Sequence, residues 1–218
     1  MKNLKLETFL VGSFGCNCTV LSSTTTKEAI IIDPGNDADK LLKKINEQGL
    51  QVKLLLHTHA HFDHIGQSKQ IHEKTGAKIC LHQGDQFLYD ALEEQGSWFG
   101  MKLGAPGKID HYLNHEEEFG IEDEGMNKML KTLHTPGHTP GSCCFHLDSN
   151  DGPILFSGDT LFRSSIGRTD LPGGDFELIK KSIKERLYNL APETIVVSGH
   201  GPNTVLGQEM KSNPFVKK

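Results

Sequence analysis

Histidine and aspartate side chains are concentrated in one short segment of the chain, the sequence HAHFDH at residues 59–64. Four of its six residues, His59, His61, Asp63 and His64, are of types that bind transition metals, and such a run has no packing rationale. His59 and His61 lie two residues apart and can bind one ion from one side of an extended turn. Asp63 and His64 project differently and can reach a second ion. The spacing therefore predicts a site for two metal ions.

Three later segments each place one ligand-type side chain beside glycine or proline. They are TPGHTPG around His138, SGDT around Asp159 and SGHG around His200. Each is weak by itself, because a lone histidine or a Gly-Asp turn usually has a structural role. Together with residues 59–64 they complete a ligand set: His138 for the first ion, His200 for the second, and Asp159 as a bridge between ions about 3.5–4 Å apart. These donors favour zinc, with iron or manganese as alternatives.

Each of these segments follows an apolar run that is typical of a β-strand. The four runs are Val52–Leu56, Met129–Leu133, Ile154–Phe156 and Thr194–Val197. Ligands gather on loops at strand ends, where a rigid sheet fixes them. Further predicted strands are Leu4–Val11, Ala29–Ile32, Lys78–Leu81 and Ser142–Leu147, and the predicted helices are Asp37–Gln48, Gln67–Thr75, Gln86–Glu94 and Phe176–Leu190. Strands and helices interspersed along both halves indicate an α/β fold.

One segment, Gly96–Asp110, lacks clean periodicity and is predicted to be a long loop. Its Trp98 and Phe99 could form an apolar lip over the metal pocket or simply anchor the loop. The five cysteines are expected to be reduced, packed as small apolar side chains and not part of the site.

The composition limits the classes of function. A chain of 218 residues with 36% hydrophobic and 23% charged residues is typical of one globular domain. Its net charge of -5 argues against nucleic acid as the partner. No apolar run reaches the roughly 20 residues that cross a bilayer, and the first residues do not read as a signal peptide. We therefore expect a cytoplasmic protein with a small-molecule substrate and no membrane partner.

The motifs THAHFDH, TPGHTPG, SGDTLF and SGHG, with the early IIDPG, resemble those of the metallo-β-lactamase superfamily. Within it, GRTDLPGGD and HGPNTVLGQEMKSNPF make the chain similar to the short glyoxalase II-like branch. The resemblance implies a four-layer αββα sandwich with the metals at one edge, and residues 1–218 as one domain without the C-terminal helical domain that holds glutathione in full-length glyoxalase II. It also implies hydrolysis of S-(2-hydroxyacyl)glutathione thioesters such as S-D-lactoylglutathione.

The chain departs from that branch where glutathione would bind. Arg168 stands in place of a glutathione-binding lysine, Asp170 in place of a tyrosine, and Pro202 in place of a second tyrosine. Arg168, and less directly Arg163, could hold a substrate carboxylate or could be solvated surface arginines. Recognition of glutathione therefore stays open.

The expected mechanism uses the metal ions to generate the nucleophile. Two ions lower the pKa of a bound water from roughly 16 to about 7, which predicts a bridging hydroxide at neutral pH. The predicted catalytic residues are Asp159, which would bridge the ions, and Asp63, which would orient the hydroxide. A thiolate leaving group has a pKa near about 8.5 and needs no dedicated general acid.

Two alternatives remain at this stage. Persulfide dioxygenases share the fold and the GRTD stretch but use one iron, which His59, His138 and Asp159 would bind here. A lactonase or another ester hydrolase would use the same metal chemistry. His57 and His134 could orient ligand rings or have ordinary structural roles. The other histidines are predicted to be surface or packing residues: His72, His82, His111, His115 and His146.

Overall fold

The computed structural model describes residues 3–123, 129–149 and 151–217. The first of its two six-stranded sheets has the strand order β1-β2-β3-β4-β5-β6. Its strands are β1 (Leu4–Val11), β2 (Cys16–Ser23), β3 (Glu28–Ile32), β4 (Gln51–Leu56), β5 (Lys78–Leu81) and β6 (His111–Tyr112). The hairpins β1–β2 and β2–β3 are antiparallel, whereas β3 to β6 run parallel. Parallel neighbours need crossover connections, and the helices supply them.

The second sheet has the order β14-β13-β10-β9-β8-β7. Its strands are β7 (Glu118–Phe119), β8 (Leu130–His134), β9 (Cys143–Leu147), β10 (Ile154–Gly158), β13 (Ile195–Ser198) and β14 (Thr204–Val205), and a small hairpin joins β11 (Leu161–Phe162) to β12 (Ser165–Ile166). The helices are α1 (Ala38–Gln48), α2 (Phe62–Ile65), α3 (Ser68–Thr75), α4 (Gln86–Asp90), α5 (Leu92–Trp98), α6 (Phe176–Ser182, continued by a π-helical turn over Ile183–Leu187) and α7 (Leu206–Ser212).

Side-chain alternation in the buried strands builds the layers. In β3, Ala29 and Ile31 pack toward α1 and α3, while Ile30 and Ile32 pack toward the second sheet. The second sheet does the same, since Phe156 joins the core between the sheets and Leu155 packs against α6. Strands covered on both faces read as continuous apolar runs, as III does here. The result is the predicted helix–sheet–sheet–helix sandwich.

Most predicted elements are confirmed with small changes of boundary, and the structure adds six strands (β2, β6, β7, β11, β12 and β14) and the helices α2 and α7. The sequence did not predict β2, because half of CNCTVLSS is serine, threonine or asparagine, yet all of it is buried except Asn17, which is half-buried. The predicted helix Gln86–Glu94 is wrong as a single element, because it divides at Ala91 into α4 and α5. The predicted loop Gly96–Asp110 is also shorter than expected, since α5 extends to Trp98. Among the described residues, no helix is long and apolar enough to cross a membrane.

Candidate metal centre

Four strands end at one edge of the sandwich, and the predicted ligands follow them directly. β4 leads into His59 and its neighbours, β8 into His138, β10 into Asp159 and β13 into His200. β10 is parallel to β13, and β8 and β10 are both antiparallel to β9, so these three strands of the second sheet run in one direction. Their carboxyl ends therefore meet at the same edge, opposite the end of β4.

Three imidazoles form what we call the first donor group: His59, His61 and His138. One nitrogen of each lies within 4.8 Å of the others. His61 Nδ1 is 3.0 Å from His138 Nε2. His59 Nε2 is buried and has no hydrogen-bond partner in the described part of the chain. A buried polar atom left unpaired costs about 1–3 kcal/mol, so a nitrogen in this setting fits a metal ligand.

The second donor group consists of Asp63, His64 and His200, whose ligand atoms also lie within 4.8 Å of one another. Asp63 Oδ2 is 3.1 Å from His200 Nε2. The Nε2 atoms of His64 and His200 are only 3.2 Å apart. Two imidazole nitrogens and a carboxylate oxygen turned toward one point are donors of the kind that zinc or iron binds.

The carboxylate of Asp159 lies between the two donor groups. Its Oδ1 is 3.5 Å from His64 Nε2, and its Oδ2 is 3.7 Å from His138 Nε2 and 3.8 Å from His200 Nε2. Oδ1 is buried without a hydrogen-bond partner among the described residues. A carboxylate that faces both groups has the geometry of a bridging ligand. The structure thus brings all seven predicted ligands into one cluster.

Backbone carbonyls orient two of the ligand rings. His138 Nδ1 lies 2.7 Å from the carbonyl oxygen of Arg168, and His200 Nδ1 lies 3.1 Å from that of Phe14. Because a carbonyl can only accept, each Nδ1 carries a proton, and each Nε2 faces the cluster. The tautomers needed for metal binding are therefore fixed by the fold.

Asp33, at the end of β3, orients one ring in each donor group. Its Oδ2 lies 3.0 Å from His64 Nδ1 and accepts a 2.7 Å hydrogen bond from Thr58 Oγ1. Its Oδ1 accepts from the Thr58 backbone N–H at 2.8 Å. Because Thr58 Oγ1 donates its own proton to Asp33, it accepts a hydrogen bond from His59 Nδ1, which lies 3.1 Å away. In the sequence, Asp33 stands out only as part of IIDPG. A carboxylate directly after a wholly apolar strand was the available signal.

Cys16 lies beside one of the predicted ligands, although no cysteine was predicted to belong to the site. Its Sγ lies 3.5 Å from His64 Nδ1, and its backbone forms an isolated bridge with His200. Burial raises the pKa of the Cys16 thiol to about 11, so the thiol is protonated at neutral pH. All five cysteines are free and buried, as predicted.

Asp85 connects the two loops that carry the first donor group. Its Oδ2 accepts hydrogen bonds from the Ala60 N–H at 3.0 Å and from Thr139 Oγ1 at 2.8 Å. Its Oδ1 accepts from the Gly141 N–H at 2.6 Å. Burial raises the pKa of Asp85 to about 6. Nothing in the sequence QGDQ distinguishes this residue from a surface turn, so its role was not predicted.

The two donor groups differ in electrostatics. Burial lowers the pKa of His59 and His138, and lowers that of His61 to about 3, so these imidazoles are neutral at pH 7. Burial alone would also lower the pKa of His64, but the nearby carboxylates raise it well above the usual value. Burial also acts to lower the pKa of His200, but the hydrogen bond with the Asp63 carboxylate outweighs it and raises the pKa. A metal ion would therefore have to displace protons in the second group but not in the first.

The two histidines next to the motifs contact no predicted ligand. His57 places Nδ1 2.9 Å from the Cys80 carbonyl and Nε2 2.7 Å from Ser68 Oγ, which occupies both ring nitrogens. His134 stacks on His82 with ring centroids 3.9 Å apart, and its Nε2 lies 2.9 Å from the Pro140 carbonyl. These contacts are structural.

The two predicted substrate-binding arginines already have partners. Arg168 lies at the mouth of the site, where its Nε and Nη2 donate to the two carboxylate oxygens of Asp170 at 2.8 and 2.7 Å. Arg163 donates to the carbonyl of Asn203 and does not line the cavity at the metal cluster.

A cavity of about 200 Å³ opens beside the ligand cluster. Its polar end is formed by His61, Asp63, His138 and Asp159. Trp98 and Phe99 both line its mouth, which is the lip arrangement that the sequence left open. The other lining residues are Phe14, Phe62, Leu88, Gln95, Arg168, Leu171 and Pro172.

A family model described as the metallo-β-lactamase superfamily matches residues 11–200, a span that includes every ligand in the cluster. The chain belongs to the metallo-β-lactamase superfamily. The predicted resemblance and the predicted fold are therefore confirmed. The match supports a metal-dependent hydrolase.

Relatives within the metallo-β-lactamase superfamily match nearly the whole chain. Hydroxyacylglutathione hydrolase GloC of Haemophilus influenzae is 38% identical over 214 residues, which cover 98% of each chain. The crystal structure of BLEG-1, a B3 metallo-β-lactamase, has a TM-score of 0.87 at 37% identity and covers 98% of this chain and 100% of its own. A di-iron-bound structure of TTHA1623 has a TM-score of 0.86 at 35% identity, covering 96% and 100%.

Proposed function

We propose that the chain is a binuclear metal-dependent hydrolase that cleaves thioesters, with S-D-lactoylglutathione as the first substrate to test. The observation that carries the proposal is the position of Asp159, within 4 Å of nitrogens from both donor groups. The first donor group would bind one ion, the second donor group the other, and Asp159 both. The relative GloC points to the glutathione thioester.

Bound metal ions would lower the pKa of a water to about 7 and polarise the substrate carbonyl. Asp63 lines the cavity as well as reaching His200, so its carboxylate faces both the cluster and the substrate. In this proposal Asp63 orients the attacking water by accepting its hydrogen bond, and Asp159 fixes the spacing of the two donor groups. These are the two catalytic residues of the account.

The choice of thioesters follows from what the cavity lacks. Among the described lining residues, every histidine and carboxylate is a proposed metal ligand, and the remaining charged group is Arg168. No side chain is left to protonate a poor leaving group. Thiolates have a pKa near about 8.5 and leave without a general acid, whereas amines and alkoxides need one.

The second donor group also separates this proposal from the persulfide dioxygenase alternative. A mononuclear iron site would use His59, His138 and Asp159 and would leave Asp63, His64 and His200 without a role. We propose zinc because nitrogen and oxygen donors suit it, although the di-iron form of TTHA1623 makes iron the alternative to measure.

The experiment combines metal quantification on the purified protein with a panel of S-D-lactoylglutathione, simple thioesters, lactones and glutathione persulfide. We expect thiol release from thioesters, abolished by His59→Ala and retained in His115→Ala, whose side chain lies outside the cluster. Oxygen consumption with the persulfide and no thioesterase activity would overturn the proposal. Lactone hydrolysis without thioester hydrolysis would also do so.

A further inference from the structure

Three phenylalanines from distant parts of the chain meet at the mouth of the metal cavity. Phe14, in the turn after β1, packs edge-to-face on Phe62 and Phe99, with ring centroids 5.1 Å apart in both pairs. Phe62 and Phe99 are stacked at 4.9 Å. With Trp98 and Leu171 they form what we call the aromatic slot. One end of the slot is therefore closed by the proposed metal ligands and the other is open to solvent.

The slot is apolar although its rim is exposed to solvent. Phe14 is 44% exposed, Phe99 54% and Trp98 58%. Exposed aromatic side chains are common singly, but a contiguous group beside a polar cluster marks a binding surface. Covering such rings with an apolar ligand removes their surface from water, and this is where the binding free energy would come from.

The cationic side chain that lines the slot is already paired with a carboxylate. Among the described residues that line the cavity, Arg168 is the single lysine or arginine. Its guanidinium is held in a bidentate pair by Asp170, so a ligand carboxylate would have to displace that partner.

The size of the cavity indicates how large a group the slot can enclose. An apolar cavity of roughly 150 Å³ accepts benzene. The slot cavity, at about 200 Å³, has room for one phenyl ring or a branched aliphatic group of similar size.

From these observations we infer that the site selects substrates that place an uncharged, apolar group of about the size of a phenyl ring in the aromatic slot, in preference to a charged group. This inference rests on the proposed function in one respect: it takes the apolar group to be attached to the thioester that is cleaved. The apolar group could belong to the acyl side or to the thiol side, and the test treats these separately.

Binding can be measured without turnover, because Trp98 is the one tryptophan of the chain and lies in the slot. The zinc-loaded protein is titrated with two thioethers of N-acetylcysteamine, one bearing a phenylethyl group and the other a carboxyethyl group. We expect the phenylethyl probe to change Trp98 fluorescence and to bind at least about tenfold more tightly. Equal or tighter binding of the carboxyethyl probe would overturn the inference.

Substitution of the rim gives the matched control. Phe99→Ala should weaken binding of the phenylethyl probe by about tenfold and binding of the carboxyethyl probe much less. Phe215→Ala removes a phenylalanine of similar exposure that does not line the cavity, and it should change neither. Phe99→Leu, which keeps an apolar side chain, should restore much of the affinity. Equal weakening of both probes by Phe99→Ala would contradict the inference.

Steady-state kinetics show whether the apolar group in the slot belongs to the acyl side or to the thiol side of the thioester. One series varies the acyl group (acetyl, phenylacetyl, succinyl) on N-acetylcysteamine, and the other varies the thiol (benzyl thiol, glutathione) with acetyl constant. We expect the apolar member to have the highest kcat/KM in one series, and Phe99→Ala to lower its advantage about tenfold. If every thioester is inert while the phenylethyl probe still binds, the proposed function is contradicted and the inferred preference of the slot is supported. If acetyl and phenylacetyl thioesters react equally, and the benzyl thioester reacts no faster than the glutathione thioester, the inferred preference of the slot is contradicted. The proposed thioesterase function is then still supported.

Discussion

Asp85 Oδ1 accepts a hydrogen bond of 2.6 Å from the backbone N–H of Gly141, and this contact ties a buried carboxylate to the loop that carries His138. The other oxygen of the same carboxylate accepts from Ala60, between His59 and His61. One side chain from a separate part of the chain thus fixes the distance between the two halves of the first donor group.

Replacing this carboxylate should loosen the metal site without touching a ligand. Asp85→Asn keeps one acceptor oxygen but turns an amide N–H toward the N–H groups of Ala60 or Gly141. We expect a loss of about 1–3 kcal/mol in the free energy of unfolding and a tenfold to hundredfold loss in metal affinity, of about the size seen when ligand-supporting groups are removed. Chemical denaturation and competition with a chelator measure the two effects. Asp90→Asn, at an exposed position on α4, should change neither. Equal metal affinity in the Asp85 and Asp90 variants would contradict this role.

Gly199 allows the backbone to approach the bridging carboxylate. A Cβ at this position would lie 2.2 Å from Asp159 Oδ1 and 2.8 Å from His64 Cε1, which is too close for either atom. Gly199→Ala should therefore displace Asp159 or His64, lower stability by about 1–3 kcal/mol and weaken metal binding and thioesterase activity together. Gly104→Ala serves as the control, because its Cβ would meet no atom within 4 Å. A Gly199→Ala protein with unchanged metal content and activity would show that the close approach is not needed.

Lowering the pH should release the metal ion of the second donor group before the ion of the first donor group. The pKa of His61 is about 3, and those of His59 and His138 are also lowered, so protons do not compete for the first donor group near pH 6. The pKa values of His64 and His200 are raised, so protons compete there as soon as the pH falls. Dialysis at about pH 8 and at about pH 6, followed by metal analysis, should show one ion lost before the other. His200→Ala should abolish the first loss. Simultaneous loss of both ions would contradict the assignment.

The ion pair between Arg168 and Asp170 explains why the cavity offers a carboxylate no free cation. Asp170→Asn should release the Arg168 guanidinium and raise kcat/KM for a thioester with a carboxylate near the slot by about twofold to fivefold. A neutral thioester should respond less. The gain should disappear in the double variant with Arg168→Gln, which makes the comparison a double-mutant cycle. An equal gain for charged and neutral thioesters would argue against this role of the pair.

The sequence contained most of the ligand chemistry, because ligand type and position after a strand are local properties. His59, His138, Asp159 and His200 each follow an apolar run, and strands that run in one direction bring their ends together. The predicted β4, β8, β10 and β13 were therefore sufficient to place them at one edge.

What the sequence did not reveal depends on tertiary contacts between distant segments. Asp33, Asp85 and Cys16 contact the site only after the sheets have packed, and the sequence around Asp85 and Cys16 is not distinctive. Phe14 joins Phe62 and Phe99 for the same reason. The strand β2 was missed because its buried residues are largely cysteine, serine and threonine, which carry no period-two apolar pattern.

The number of metal ions bound by each chain tests the central claim most directly. Native mass spectrometry of the zinc-loaded protein, after removal of free metal, counts them. The account predicts two ions in the wild-type chain and in His115→Ala, one ion in His200→Ala, and sharply weakened binding of both in Asp159→Ala. A wild-type protein that holds a single ion and retains full thioesterase activity, or a His200→Ala protein that still holds two, would contradict it.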